Sequence, residues 1–243
     1  MEGVAVSKPY ESYESGDYLA KNPTWDEEDS EWKAGHVLKM FDRNHLVPQS
    51  VVEVGCGAGG VLASLHDVLP DAAYSGFEIA PDASRFWEKH RARKISFQVR
   101  DFLQEKTEHF SVLLLLDVIE HVPNPFEFLS QLIGRADYYV FHIPLDLSAM
   151  SVARESPLLL VRQKVGHIHY FTKGLALSLV QESGFEVIDW FYTGAAFNTP
   201  QASWKSRLAR LPRRLAFALN RDVGVRLLGG DTLMVLAKAK QGQ

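Results

Sequence analysis

The chain has 243 residues, 46% of them hydrophobic and 23% charged, with a formal net charge of −4. That is globular composition, rich enough in apolar residues for one well-filled core, and the mild negative balance gives no global pull toward nucleic acid. The one cysteine, Cys56, excludes an internal disulfide and a cysteine-based zinc cluster and fits a reducing compartment. No apolar run approaches the ~20 residues of a membrane span, and the start lacks a basic-then-apolar leader, so a cytoplasmic location is expected.

Residues 1–33 carry nine acids against three lysines, while residues 204–226 carry seven basic residues against Asp222. The first of these segments has little periodicity but holds Tyr10, Tyr13, Tyr18, Trp25 and Trp32, too many aromatics for a disordered tail. We read 1–44 as an arm and helix covering a pocket, or else docked elsewhere on the core. The helix begins at Asp26 or Ser30, either of which can cap it, and runs to Met40. Residues 45–243 form one α/β domain with insertions at 145–170 and 194–228.

Ser50 to Val54 reads as a buried, β-branched strand running into Gly55-Cys56-Gly57-Ala58-Gly59-Gly60 and then a helix to Val68. Glycines in such a turn let a ligand lie against the backbone, at a helix start that offers free N–H groups. Cys56 is a small residue tolerated there; a thiol nucleophile is the lesser reading. The second strand, Ala73 to Ile79, ends in Glu78, placed for a carboxylate to accept both hydroxyls of a ribose. Gly55, Gly57 and Gly60 with Glu78 also satisfy the dinucleotide fingerprint, which leaves an NAD(P)-dependent oxidoreductase open.

Pro81 starts a helix with Phe86 and Trp87 on its buried side, and Ile95 to Val99 is a third strand ending at Asp101-Phe102. Phe110 to Asp117 is a continuous apolar run suited to the centre of a parallel sheet. Val118-Ile119-Glu120-His121-Val122 follows, and Pro123 and Pro125 set up a helix, Phe126 to Ile133, whose Phe126, Phe128, Leu129 and Leu132 are available to the core. Asp137 to Pro144 is a fifth strand. Residues 145–165 show no clear period. A helix from Thr172 to Ser183 stops at Gly184. His167 and His169 could suggest a metal, but no third ligand at suitable spacing accompanies them, so none is expected. Phe185 to Phe191 and Asp231 to Ala237 are the last strands. Between them Trp204, Leu208, Leu211 and Leu215 repeat at helical spacing beside basic residues, and Pro212 is expected to split the stretch into two helices. That basic face is either solvated or a weak contact for a membrane surface or anionic ligand.

With these residues in hand, the chain resembles the class I S-adenosylmethionine-dependent methyltransferases of small-molecule type. The resemblance rests on E-x-G-x-G-x-G at Glu53 to Gly59, on D-V-I-E-H-V-x-x-P at Asp117 to Pro125 and on G-H-x-H-Y-F-T at Gly166 to Thr172. It covers about residues 45–193 and the final strand. It implies a Rossmann-like, mostly parallel seven-stranded sheet in the order 3-2-1-4-5-7-6 with an antiparallel edge and helices on both faces. It also implies S-adenosylmethionine as donor, S-adenosylhomocysteine as product and a small-molecule acceptor. The cofactor residues it implies are Glu53, Gly55, Cys56, Gly57, Gly59, Glu78, Ile79, Asp101, Phe102, Asp117, Val118 and His121, with Asp101 on the adenine amino group. A carboxylate such as Glu53 repels a pyrophosphate but favours a sulfonium and an ammonium. Candidate general bases are His121, then His142 and His167. The chain is expected to act as a monomer or homodimer. A donor-binding subunit without its own catalysis is the remaining alternative.

Overall fold

The computed structural model describes residues 17–104, 108–198 and 210–240. Tyr10 and Tyr13 of the arm, and Trp204 and Leu208 of the basic stretch, lie outside the described residues. The strands are β1 (Ser50–Val54), β2 (Ala73–Glu78), β3 (Ser96–Val99), β4 (Phe110–Leu116), β5 (Ala136–Pro144), β6 (Phe185–Tyr192) and β7 (Thr232–Ala239). They form one sheet in the order β3-β2-β1-β4-β5-β7-β6. β7 alone runs against its neighbours, β5 and β6.

The apolar run of β4 is explained by its central place. Val112, Leu114 and Leu116 face one side with Val51, Tyr74 and Val140, while Leu113 and Leu115 face the other with Val52, Phe77 and Phe141. A strand covered on both faces has no reason to alternate polar and apolar residues. Helices α1 (Asp17–Lys21), α2 (Ser30–Arg43) and α3 (Gly60–Val68) precede β2. Val37, Met40, Leu62 and Leu65 from α2 and α3 fill the first layer. On the second face, α4 (Pro125–Gln131) and α7 (Lys173–Glu182) supply Leu129, Leu179 and Val180.

Several local expectations are corrected. Neither Asp26 nor Ser30 caps α2: Asp26 precedes the 3-10 turn Glu27–Asp29 without a side-chain cap bond, Ser30 is the first residue of α2 itself, and α2 runs on to Arg43. There Arg43 makes a two-pronged pair with Asp189 of β6, each bond 2.8 Å, which anchors the end of α2 to the far edge of the sheet. Residues 81–93 wind as 3-10 turns rather than an α-helix. Phe126, in the first turn of α4, is 48% exposed and does not join Leu129 in the core. The stretch 145–165 contains two helices, α5 (Ala149–Arg154) and α6 (Ser156–Lys164), with Pro157 at the start of the second, where its missing N–H costs nothing. After α8 (Ala195–Asn198), Pro212 lies inside the first turn of α9 (Arg210–Leu219) for the same reason. The break before α10 (Arg221–Leu228) falls instead at Asn220, whose side chain caps it by accepting from the Val223 N–H at 3.1 Å. Part of the basic stretch is used internally: Arg221 pairs with buried Asp231 at 2.7 Å, and Arg213 donates to the Leu228 carbonyl at 3.2 Å. Among the described residues no helix is long and apolar enough to cross a membrane.

Candidate active site

The carboxyl ends of β1, β2 and β4 open into one cavity of about 800 Å³. Glu53, Gly55, Cys56, Gly57, Glu78, Ile79, Asp101, Phe102, Asp117, Val118, His121 and His167 all line it. Gly59 and His142 do not. Tyr18, Trp25, Asp26, Asp29, Ser30 and Lys33 of the arm line it too, as do Val165 and Thr232.

The loop is shaped by close approach. Gly57 has φ +49°, and a β-carbon there would lie 2.7 Å from Cδ1 of Trp25, so only glycine fits beneath the indole. Its N–H donates to Glu78 at 3.0 Å, and the Trp87 indole donates to its carbonyl at 2.9 Å. Gly59 serves packing instead: a β-carbon would meet the Phe97 ring at 2.5 Å, on the side of the loop away from the cavity. The other oxygen of Glu78 accepts from the N–H groups of Ile79 and Ala80 at 2.8 and 3.0 Å, so one carboxylate ties the end of β2 to the turn after β1. Burial raises the Glu78 carboxyl above its ordinary range, and these three amides oppose that.

Glu53 is buried, and its Oε2 has no hydrogen-bond partner. Burial pushes its carboxyl up to about 8, against the pull of Lys33 and with help from the charges of Glu78 and Asp117. Burial likewise pushes the Cys56 thiol well up, which removes the thiolate a nucleophile needs. Asp101 is held by accepting from the Leu103 N–H at 2.9 Å, and Phe102 packs beneath it against Phe77, ring centres 5.0 Å apart.

Asp117, at positive φ just past β4, joins the arm to the sheet. Its Oδ2 takes the Lys33 ammonium at 2.7 Å and its Oδ1 takes His142 Nδ1 at 2.7 Å. His142 is 1% exposed, and its Nε2 bonds the Thr232 hydroxyl at 2.8 Å. Burial alone would raise Asp117; His142 and Lys33 overcome it and hold the carboxyl well below the usual range. Burial would lower Lys33, and Asp117 more than offsets this to hold the ammonium above its usual range. His142 is thus a buried support of Asp117 rather than a group facing the cavity.

The histidine pair 167 and 169 does not converge: His169 Nε2 bonds the Val122 carbonyl at 2.9 Å. His167 turns the other way, toward His121, with ring centres 4.9 Å apart, and toward Glu120. Glu120 is 0% exposed, and neither carboxylate oxygen has a hydrogen-bond partner. Burial raises its carboxyl well above the ordinary range. Burial also lowers His121 to about 4, with His167 beside it acting in the same direction.

Glu120, Lys33 and Thr232 went unassigned from sequence. Glu120 had a signal, a lone carboxylate among Val118, Ile119 and Val122 beside a histidine. Lys33 had none, since its pairing with Asp117 spans 84 positions and exists only once the arm is folded.

Seven carboxyl groups (Asp26, Asp29, Glu53, Glu78, Asp101, Asp117 and Glu120) line the cavity with Lys33 and Arg100; burial favours the protonated form of Glu53 and Glu120, and the other five acids still outnumber those two cations. That field suits a positively charged donor and opposes a pyrophosphate. Solved structures share the fold. The plantazolicin methyltransferase BpumL, in complex with a monoazolic desmethylPZN analog and S-adenosylhomocysteine, is 15% identical with a TM-score of 0.62, over 96% of this chain and 94% of that one. The N-methyltransferase NodS from Bradyrhizobium japonicum WM9, in complex with S-adenosylhomocysteine, is 14% identical with a TM-score of 0.60, over 97% of this chain and all of that one. The architecture is that of the class I S-adenosylmethionine-dependent methyltransferases. Residues 25–189 match the family described as "Methyltransferase domain", and the chain belongs to it. Among curated proteins, it is 30% identical over 124 residues to the ubiquinone biosynthesis O-methyltransferase of Glaesserella parasuis serovar 5 (strain SH0165), over 44% of this chain and 52% of that protein. It is also 30% identical over 113 residues to the protein of the same name from Pseudomonas syringae pv. tomato. The chain thus spans about half the length of the curated relatives it matches.

Proposed function

We propose that the chain transfers the methyl group of S-adenosylmethionine to an oxygen, or alternatively a nitrogen, of a small-molecule acceptor. The sulfur–methyl bond breaks as the acceptor–methyl bond forms in line with it, and the sulfonium becomes the neutral thioether of S-adenosylhomocysteine. The observation that carries this is the acidic cavity at the end of β1, β2 and β4, with Glu78 held by three amides and Glu53 buried beside the loop. In this reading Glu78 and Ile79 hold the ribose, Asp101 and Phe102 the adenine, and Glu53, Gly55, Cys56 and Gly57 the methionine end, with Asp117 and Val118 beneath. The name of the curated relatives supports oxygen over nitrogen.

The cofactor brings the reactive group, so the protein's work is alignment and electrostatics. His121 and His167 stand at the acceptor side of the cavity and are the candidates to receive or orient the acceptor's proton. His142 acts at one remove, by holding Asp117. The arm and residues 145–170 supply the wall against which the acceptor is placed.

Calorimetry with S-adenosylmethionine, S-adenosylhomocysteine, NAD and NADP tests the donor. Micromolar binding of the first two and none of the dinucleotides is expected. Tight binding of a dinucleotide without S-adenosylhomocysteine would sink the reading. Incubation with cell extract and labelled donor, followed by mass spectrometry, then identifies the acceptor by its gain of one methyl group; labelled donor that stays intact throughout would favour the non-catalytic alternative.

A further inference from the structure

A second cavity, of about 470 Å³, opens between α2, the end of β6 and the helices α9 and α10. That is the size of a small-molecule site. It lies next to the cavity at the ends of β1, β2 and β4. Thr232 lines the first and Thr193 the second, and the Thr193 N–H donates to the Thr232 carbonyl at 3.1 Å. The two differ in charge. The first is acidic, whereas the second is lined by Lys39, Arg214 and Arg221 and, among the described residues, by no Asp or Glu. The sequence carries the same signal: from Trp190 to Arg221 there is no acid, and there are six Lys and Arg.

These cations rest on rings more than on carboxylates. Lys39 lies over Phe191 at 4.7 Å from the ring centre, Arg214 over Phe197 at 5.6 Å and Arg221 over Tyr192 at 4.9 Å. A guanidinium laid on a ring keeps its in-plane N–H groups for an oxyanion. Among the described residues neither Lys39 nor Arg214 has a carboxylate partner. Arg221 spends Nε and Nη2 on Asp231, at 3.0 and 2.7 Å, which leaves Nη1. His36 stands in the same wall, and its Nδ1 is buried without a hydrogen-bond partner. Burial lowers its imidazole to about 4, with His142, Lys39 and Arg221 acting in the same direction. The neutral ring marks a positive potential that Asp231 does not cancel.

We propose that this second cavity binds an organic oxyanion, a carboxylate or phosphate carried on an aromatic body. Lys39, Arg214 and the Nη1 edge of Arg221 take the oxyanion, and Tyr192, Phe197 and Phe217 receive the body. The site does not rest on the methyl-transfer reading, because it shares no lining residue with the donor cavity.

The test is calorimetric titration of the full chain with phenyl phosphate, inorganic phosphate and phenol, with S-adenosylhomocysteine present to fill the first cavity. One phenyl phosphate per chain is expected, bound at least about tenfold more tightly than either fragment of it. Lys39→Ala and Arg214→Ala, both at exposed positions, should each weaken it at least about fivefold and leave S-adenosylhomocysteine affinity within about twofold of the parent. No saturable one-to-one binding, or unchanged binding in either variant, overturns the site. The ring resonances of His36 should move on adding phenyl phosphate while those of His121 and His167 stay. The reverse pattern places the ligand in the first cavity and overturns the proposal. Binding to phosphatidylglycerol vesicles that both variants lose, with no phenyl phosphate bound, would make this face a membrane contact and overturn the small-molecule site. Failure of S-adenosylhomocysteine to bind would sink the donor assignment alone, and the histidine shifts would still decide the second site.

Discussion

Glu53 carries an acidity that the donor's charge can use. Its carboxyl is pushed up to about 8 by burial, from an ordinary 4.5, so the folded chain holds a proton there that the unfolded chain has lost. The sign follows: this group makes folding less favourable as pH rises from about 4.5 through 8, with no further change above. A cationic sulfonium and ammonium reverse that cost by favouring the ionised form. Affinity for S-adenosylmethionine should therefore rise on the order of tenfold between pH 6.5 and 8.5. Binding at pH 7 should also release a proton, seen as a dependence of the calorimetric enthalpy on the buffer. Glu53→Gln should flatten the profile; an unchanged slope in that variant would place the titration elsewhere. At this scale Glu53, Gly57 and Glu78 were legible because a strand, a glycine turn and a second strand lie close in sequence and constrain one another. Glu120 was not, because its meaning depends on His167 being folded back from 47 positions away.

Helix α2 has two separable jobs. Met40 is fully buried in the layer beneath β1 and β4, away from the cavity. Lys33, two turns earlier, reaches the cavity and grips Asp117. Met40→Ala should lower unfolding free energy by about 2–5 kcal/mol in urea, through lost contacts and a residual void. It should leave S-adenosylhomocysteine affinity unchanged where the protein is still folded. Lys33→Ala should cost about 1–3 kcal/mol, because it removes one of the two partners of the half-buried Asp117 carboxylate and leaves only His142, and should weaken the donor as well. Equal effects on binding from the two variants would refute the division. Element boundaries were read within a few residues wherever a run was long and apolar, as in β4 and β5. They failed where Pro212 was taken as a breaker: it sits in a first helical turn, where no amide partner is lost, and sequence spacing alone does not separate that position from a helix interior.

Across the whole molecule the cavity has two kinds of wall. One is the carboxyl edge of β1, β2 and β4, fixed by a sheet packed on both faces. The other comes from outside the sheet: Tyr18, Trp25 and Lys33 from the arm, Val165 and His167 from the stretch after α6. Residues 17–33 are held to the core largely through side chains: Trp25 over Gly57, Ser30 over Gly60, Lys33 on Asp117, Glu27 on Lys89, and Lys21 and Asn22 on the carbonyls of Gln163 and Lys164. Their backbone amides should exchange with deuterium within minutes in the free chain and slow by at least about tenfold with S-adenosylhomocysteine bound. Equal exchange with and without ligand would detach the arm from donor binding. The strand order was legible from the resemblance; the arm's path was not, since its contacts join residues far apart in sequence and carry no period.

Trp25 resting on Gly57 has an evolutionary corollary. On the proposed function, the donor would be gripped by parts whose geometry the sheet dictates, and the choice of what gets methylated would be delegated to appended segments. On that reading such a scaffold can be re-tasked by grafting: exchanging residues 145–170 between two chains of this build, with Trp25 and Lys33 kept, would transplant substrate preference while the donor half is inherited untouched.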